Sequence, residues 1–328
     1  MALEITASGR GRDVERLIGR IARDDCKLTV IHGQSGVGKS SIVNGGLVPA
    51  LRQKMVKALD VLPIPLRVYT NWVEELGRLL VEGETSLPTP FYPPLPPFER
   101  GVEEGRKEEG RNEQDRNEQD RNEQVINPLN TPPFPAREGG LGGLGSTTAI
   151  LAELRQNEQR HRLVVLIFDQ FEEFFFVCQD TAARKPFFEF LSDCLNLPDV
   201  KVILSLREDY LHYLLECERL ARIDVINNDI LNKSNRYELG DFAPEDAQAI
   251  IEQLTARSQF HLESELVEQL VQDLAGDTGK VRPIELQIVG AQLQAEGITT
   301  LTEYRQGGTK DYLATHPQAR ERLPVCRE

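Results

Sequence analysis

Long apolar runs are missing from this 328-residue sequence. The longest, such as 163–168 (LVVLIF), falls far short of the ~20 residues a membrane-spanning helix requires. The opening stretch, MALEITASGRGRD, has no apolar segment of the signal-peptide kind. Cysteine is scarce: Cys26, Cys178, Cys194, Cys217 and Cys326 make an odd number, and no two stand at CxxC or zinc-ligand spacing. That argues for free thiols in a reducing compartment, so the expected location is the cytoplasm, with no membrane contact. Positive charge is also short. Lys+Arg 38 against Asp+Glu 52 gives a net charge of -14, which disfavours non-specific binding to nucleic acid or an anionic bilayer.

What is present is ordinary globular material: 40% apolar and 27% charged residues, in a chain long enough for one large domain or two smaller ones. Short apolar strands alternate with amphipathic helices. Strands are predicted at 27–32 (KLTVIH), 65–70 (PLRVYT), 163–168, 201–206 (KVILSL) and 237–239. Helices are predicted at 39–56, 72–81, 187–197 and 210–223, and then, with no further strand, at 244–254, 263–274 and 283–294. Such alternation implies right-handed βαβ units. The expected fold is therefore α/β: a doubly wound parallel sheet flanked by helices over 1–240, followed by a helical lid subdomain over 241–328.

The pattern breaks at 83–148. Ten of the 19 prolines lie between Pro88 and Pro135, and LPTPFYPPLPPF favours extended polyproline backbone. The RNEQD pentads starting at Arg111 offer too few apolar groups to offset the entropy cost of folding. A disordered insertion within the domain is the expectation, either a passive surface loop or a docking tether.

The segment Gly33-Gln34-Ser35-Gly36-Val37-Gly38-Lys39-Ser40 fits G-x-x-x-x-G-K-[ST] at every fixed position, between an apolar strand and a helix. Glycines let the backbone curl so that successive N–H groups point at phosphate oxygens, and the helix N-terminus adds partial positive charge. Lys39 is expected on the β- and γ-phosphates, with Ser41 following in the same cradle, and the Ser40 hydroxyl on Mg²⁺. A dinucleotide fingerprint fits less well, because Ser41 stands where a third glycine is needed.

Asp169 directly follows LVVLIF, at the strand edge where α/β sheets place ligands, and is the expected second Mg²⁺ ligand; a helix cap is the alternative. Next to it stands Gln170, an amide that can orient water but is a poor base. Glu172 or Glu173 can serve as the catalytic base; otherwise both are solvated residues of a helix's first turn. Arg207 ends KVILSL and can stabilise charge on the γ-phosphate, or else pair with Glu208 or Asp209. A strand also intervenes between the P-loop unit and Asp169, as in P-loop ATPases with an inserted strand.

Taken together, GQSGVGKSSIVNGGLVPAL, IFDQFEEFF and ILSLRED resemble the STAND class of signal-transduction P-loop NTPases, and more narrowly the novel STAND NTPase 1 family. That resemblance covers nearly the whole chain outside the insertion. It implies an AAA+-like core with a helical lid that binds ATP and Mg²⁺ and works as a switch, partnered by sensor or effector regions. By the same resemblance Gly11-Arg12-Asp13 matches an N-terminal arm near the nucleotide, placing Arg12 in the site. Pro283, in KVRPIEL, matches a lid proline that contacts the base, although proline is also common in a first helical turn.

The leading expectation is a nucleotide-controlled signalling switch with slow or regulated ATP hydrolysis. The alternatives are a non-hydrolysing interaction scaffold and an ATP-driven nucleic-acid loader; charge disfavours the last. ATP or ADP is the expected ligand. A protein effector and ATP-dependent homo-oligomer formation are the expected partnerships, with the chain either a fragment of a larger protein or read out by a partner.

Overall fold

The computed structural model describes residues 10–86, 145–256 and 260–306. The segment read as an insertion at 83–148 lies, apart from its two ends, outside the described residues, as do Cys326 and the last part of 241–328.

The sheet forms where the sequence is most continuously apolar. Strands β1 (Leu28–Gly33), β4 (Arg162–Phe168) and β5 (Val200–Arg207) are buried over almost their whole length, as central parallel strands covered on both faces must be. With β2 (Met55–Val56), β3 (Leu59–Leu66) and β6 (Arg236–Glu238) the order is β2-β3-β4-β5-β1-β6. All pairings are parallel except the β2–β3 hairpin. The strand that separates β1 from β4 in space is therefore β5. β3, which intervenes in the sequence, stands on the far side of β4.

β3 corrects the expected strand at 65–70. It starts earlier and contains Pro63 and Pro65, which lower strand propensity. The Leu66 carbonyl accepts the Asp169 N–H at 2.9 Å, so Leu62, Ile64 and Leu66 turn their backbone groups toward β4. The two prolines then face the other way, where β2 pairs only with Leu59 and Asp60, and the N–H groups they lack cost no ladder bond.

One face of the sheet is covered by α1 (Gly11–Ile21) and α2. The latter begins at Lys39–Ser41, widens into a π-helical stretch at Ile42–Leu47 and ends at Val48–Gln53, three residues short of the expected 56. Leu17, Val43, Leu47 and Leu51 from these helices pack on Ile31, Val165 and Ile203 of the strands. On the opposite face α3 (Trp72–Ser86) lies against β3, α4 (Thr147–Gln159) against β4 and α6 (Thr181–Asn196) against β5. α3 thus continues past residue 83, and α4 starts inside the other end of the expected break, where the Ser146 hydroxyl caps it by accepting the Ala149 N–H at 3.2 Å.

Fully buried phenylalanines join α6 to the sheet: Phe187 sits 5.2 Å from Phe168 and 4.6 Å from Phe174, centroid to centroid. Phe187→Ala is expected to destabilise the fold by about 3–5 kcal/mol. The check is urea unfolding, in which the midpoint should fall while the slope stays unchanged.

After β5 the chain does not run as one helix over 210–223. It makes a 3₁₀ segment at Glu208–Leu214 and then α7 (Leu215–Leu220). Beyond β6, helices α8 (Pro244–Ala256), α9 (Ser264–Ala275), α10 (Pro283–Glu296) and α11 (Leu301–Gln306) surround a core of their own that includes Ile250, Leu266, Leu270 and Tyr304. The four described cysteines are free. Among the described residues no helix is long and apolar enough to cross a membrane.

Candidate functional site

The site begins where β1 ends. Gly33 has no room for a side chain, since a Cβ would lie 2.3 Å from the Leu239 carbonyl oxygen. Gly36 (φ 85°) and Gly38 (φ 89°) are in the left-handed region that glycine alone enters without strain. Gly38 immediately precedes α2, so the first N–H groups of that helix open onto the loop. The Lys39 ammonium donates to the Gly33 and Gln34 carbonyls at 2.8 Å each. Burial pushes its pKa down, against the opposing pull of Glu172.

The π-helical stretch of α2, in which the Val48 N–H reaches back five residues to the Val43 carbonyl, brings a second side chain to the site. Asp169 at the end of β4 is fully buried. Its carboxylate accepts the Ser40 hydroxyl at 3.1 Å, the Asn44 amide at 2.9 Å and the Gln170 N–H at 3.0 Å, with the Arg67 guanidinium 3.5 Å away. Tyr69 fixes the same residue from behind, its hydroxyl donating to the Asp169 carbonyl at 2.7 Å. Gln170 turns the chain sharply with φ 54° and accepts from Arg67 at 2.8 Å.

At α5 (Glu172–Val177) the cap residue Phe171 and the helical Phe174 and Phe175 form a buried stripe. That rotation leaves Glu172 at the cavity and Glu173 exposed. Glu172 accepts the Arg207 backbone N–H at 3.3 Å. Burial raises its carboxyl pKa, partly opposed by hydrogen bonds and Lys39. The Arg207 guanidinium pairs with Asp209, as one sequence alternative held, yet the residue also lines the cavity. Its Nε and the Ser205 hydroxyl, both buried, have no hydrogen-bond partner among the described residues.

These groups line one cavity of about 1120 Å³. Its polar end carries Ser35, Gly36, Val37, Gly38, Lys39, Ser40 and Ser41, with Asp169, Glu172 and Arg207 opposite. Its apolar end is built from α8 and α10, including Ile250, Leu254 and Pro283. The Ile284 side chain approaches within 2.9 Å of where a Gly36 Cβ would stand, so α10 touches the loop itself. Four expected site residues do not line the cavity: Arg12, Gly33, Gln34 and Glu173. Gln34 is exposed and contributes its carbonyl to Lys39, not a cavity surface. Glu173 and Arg12 are exposed away from the cavity. Of the two arginines in GRGRD it is Arg10 that lines the cavity, because α1 begins at Gly11 and carries Arg12 outward. Gly33 shapes the loop from beneath the cavity wall. The sequence reading also missed Asn44, Arg67 and Ser205. Asn44 alone had a local signal, standing one helical turn beyond Ser40.

Sheet order and loop geometry together put the chain among the P-loop NTPases, which bind nucleotides. It belongs to the Novel STAND NTPase 1 family, whose model matches residues 8–319. Comparison with curated proteins gives no match. Among solved structures, the ORC2 protein of Aeropyrum pernix in its ADP form is similar at 12% identity and TM-score 0.50, over 89% of this chain and 65% of that one. The same protein in ADPNP–ADP complexes matches at 11% identity and TM-score 0.44, over 90% and 64%. A Walker-type ATPase of Pyrococcus abyssi matches at 13% identity and TM-score 0.48, over 96% and 76%. The chain thus spans a little under two thirds of the length of the ORC2 structures.

Proposed function

We propose that this protein binds ATP with Mg²⁺ and acts as a nucleotide-controlled signalling switch that hydrolyses ATP slowly. The observation that carries the reading is the 3.1 Å hydrogen bond between Ser40 and Asp169, which brings together residues 129 positions apart at the mouth of the phosphate loop. A hydroxyl and one carboxylate beside a phosphate cradle suit Mg²⁺, which takes few protein ligands and completes its shell with phosphate oxygens and water. The Ser205 hydroxyl and Arg207 Nε, without a partner among the described residues, supply buried donors for phosphate oxygens.

In this reading the loop N–H groups and Lys39 bind the phosphates, while Ser40 and Asp169 hold the cation. Bound Mg²⁺ would supply charge neutralisation on the β- and γ-oxygens. Glu172, with its raised pKa, takes the proton of the attacking water, and Arg207 stabilises charge on the γ-phosphate. Gln170 in the place beside Asp169 favours slow turnover, and it is also what supports the alternative of a non-hydrolysing scaffold. The C-terminal helices act as the lid, since Pro283 and Ile284 reach the cavity and the loop. The readout passes to a protein effector. The -14 net charge argues against nucleic acid.

Asp169→Asn is expected to remove the Mg²⁺ dependence of ATP binding, measured by titration with and without the metal. A variant whose affinity still rises with Mg²⁺ takes Asp169 out of the site.

A further inference from the structure

We propose that Arg10 is a positioning residue of the phosphate loop, orienting the Val37–Gly38 peptide and tying it to the junction that leads into the C-terminal helices. The proposal rests on the nucleotide reading above. No cis peptide occurs among the described residues, and in a planar trans peptide the carbonyl and the following N–H point in opposite directions. Arg10 Nη2 donates to the Val37 carbonyl at 2.9 Å. Holding that carbonyl turns the Gly38 N–H to the opposite side, the orientation a phosphate nest requires. Gly38 needs such a restraint, since its φ of 89° lies in a region glycine leaves freely.

The same nitrogen donates to the Gly240 carbonyl at 2.7 Å. Gly240 lies between β6 and α8, so one guanidinium bridges the loop and the start of the helical group. The guanidinium is itself held on two further sides. Its Nη1 meets Asp13 at 3.2 Å, and Asp13 in turn accepts the Tyr237 hydroxyl at 2.6 Å. The Phe242 ring lies 4.3 Å from the guanidinium carbon. With 11% of its side chain exposed, Arg10 is a nearly buried cation whose donors go to one carboxylate and two carbonyls from separate parts of the fold. Planar fork geometry suits that task better than an ammonium point charge.

The test uses the full chain with Arg10→Ala and Arg10→Lys, measuring ADP–Mg²⁺ affinity by calorimetry and Tm without nucleotide. Arg10→Ala is expected to bind ADP about tenfold more weakly, as for loss of one charge-directed hydrogen bond. Arg10→Lys, which keeps the charge, should fall between Ala and wild type. A purely structural role would lower Tm and leave the affinity of the folded protein unchanged, which overturns the proposal. If Arg10→Ala does not fold, Arg10→Lys decides: at least threefold weaker binding supports the proposal, and wild-type affinity overturns it. Wild-type protein that binds no ADP overturns the nucleotide reading itself, a result distinct from the failure of Arg10 alone.

Discussion

Lys39→Ala is expected to weaken nucleotide binding by at least 100-fold while the protein stays folded. Lys39 lies at the polar end of the cavity, with its ammonium 2.8 Å from two loop carbonyls. Phosphate oxygens would take over those donors. Two charge-assisted hydrogen bonds at about 1.5–3 kcal/mol each amount to two or more decades of affinity. Burial lowers the Lys39 pKa, so a bound polyphosphate also regains the favourable charge interaction that burial removes. The fold should survive, because among the described residues the Lys39 ammonium is bonded to two loop carbonyls only, and one of them belongs to the exposed Gln34, where water can replace the ammonium. Calorimetric titration with ATP–Mg²⁺ and a thermal melt provide the check, and undiminished binding would contradict the site assignment.

Glu172→Gln carries the second large effect. The amide keeps an oxygen for the Arg207 N–H but cannot accept a proton, so turnover should fall by about 10²–10⁴-fold with affinity retained. The exposed Glu173→Gln should turn over like wild type. The raised Glu172 pKa also sets the direction of the pH profile. The carboxylate form is needed, so turnover is full above that pKa and lost as pH falls through it, at a higher pH than for an ordinary glutamate. Steady-state phosphate release measures all three. An undiminished Glu172→Gln rate would remove Glu172 from catalysis, and wild-type protein releasing no phosphate would favour the scaffold reading.

The parts of the site legible in the sequence are those written in local order. The loop from Gly33 to Ser40 follows an apolar strand and precedes a helix, so motif and context agree without knowledge of the fold. Asp169 was legible because LVVLIF reads as a central strand whose end falls at that residue. Glu172 and Glu173 stand as alternatives in the sequence, and the buried spacing of Phe171, Phe174 and Phe175 separates them. Arg10 and Arg12 stand in near-identical context in GRGRD, and only the start of α1 at Gly11 separates them. β3 was misplaced because Pro63 and Pro65 argue against a strand unless its open edge is known. Arg67 and Ser205 reach the cavity through sheet order alone, a non-local property that no spacing in the sequence encodes.

Hydrogen–deuterium exchange across the whole chain, comparing protein without nucleotide, with ADP and with a non-hydrolysable ATP analogue, tests the switch most directly. The account predicts protection of the loop at 33–41 with both nucleotides. It also predicts a difference between the two at the Gly240–Phe242 junction and the start of α10, because a switch requires unequal affinity for two arrangements. An unprotected loop would contradict nucleotide binding there, and identical patterns with ADP and the analogue would contradict the switch.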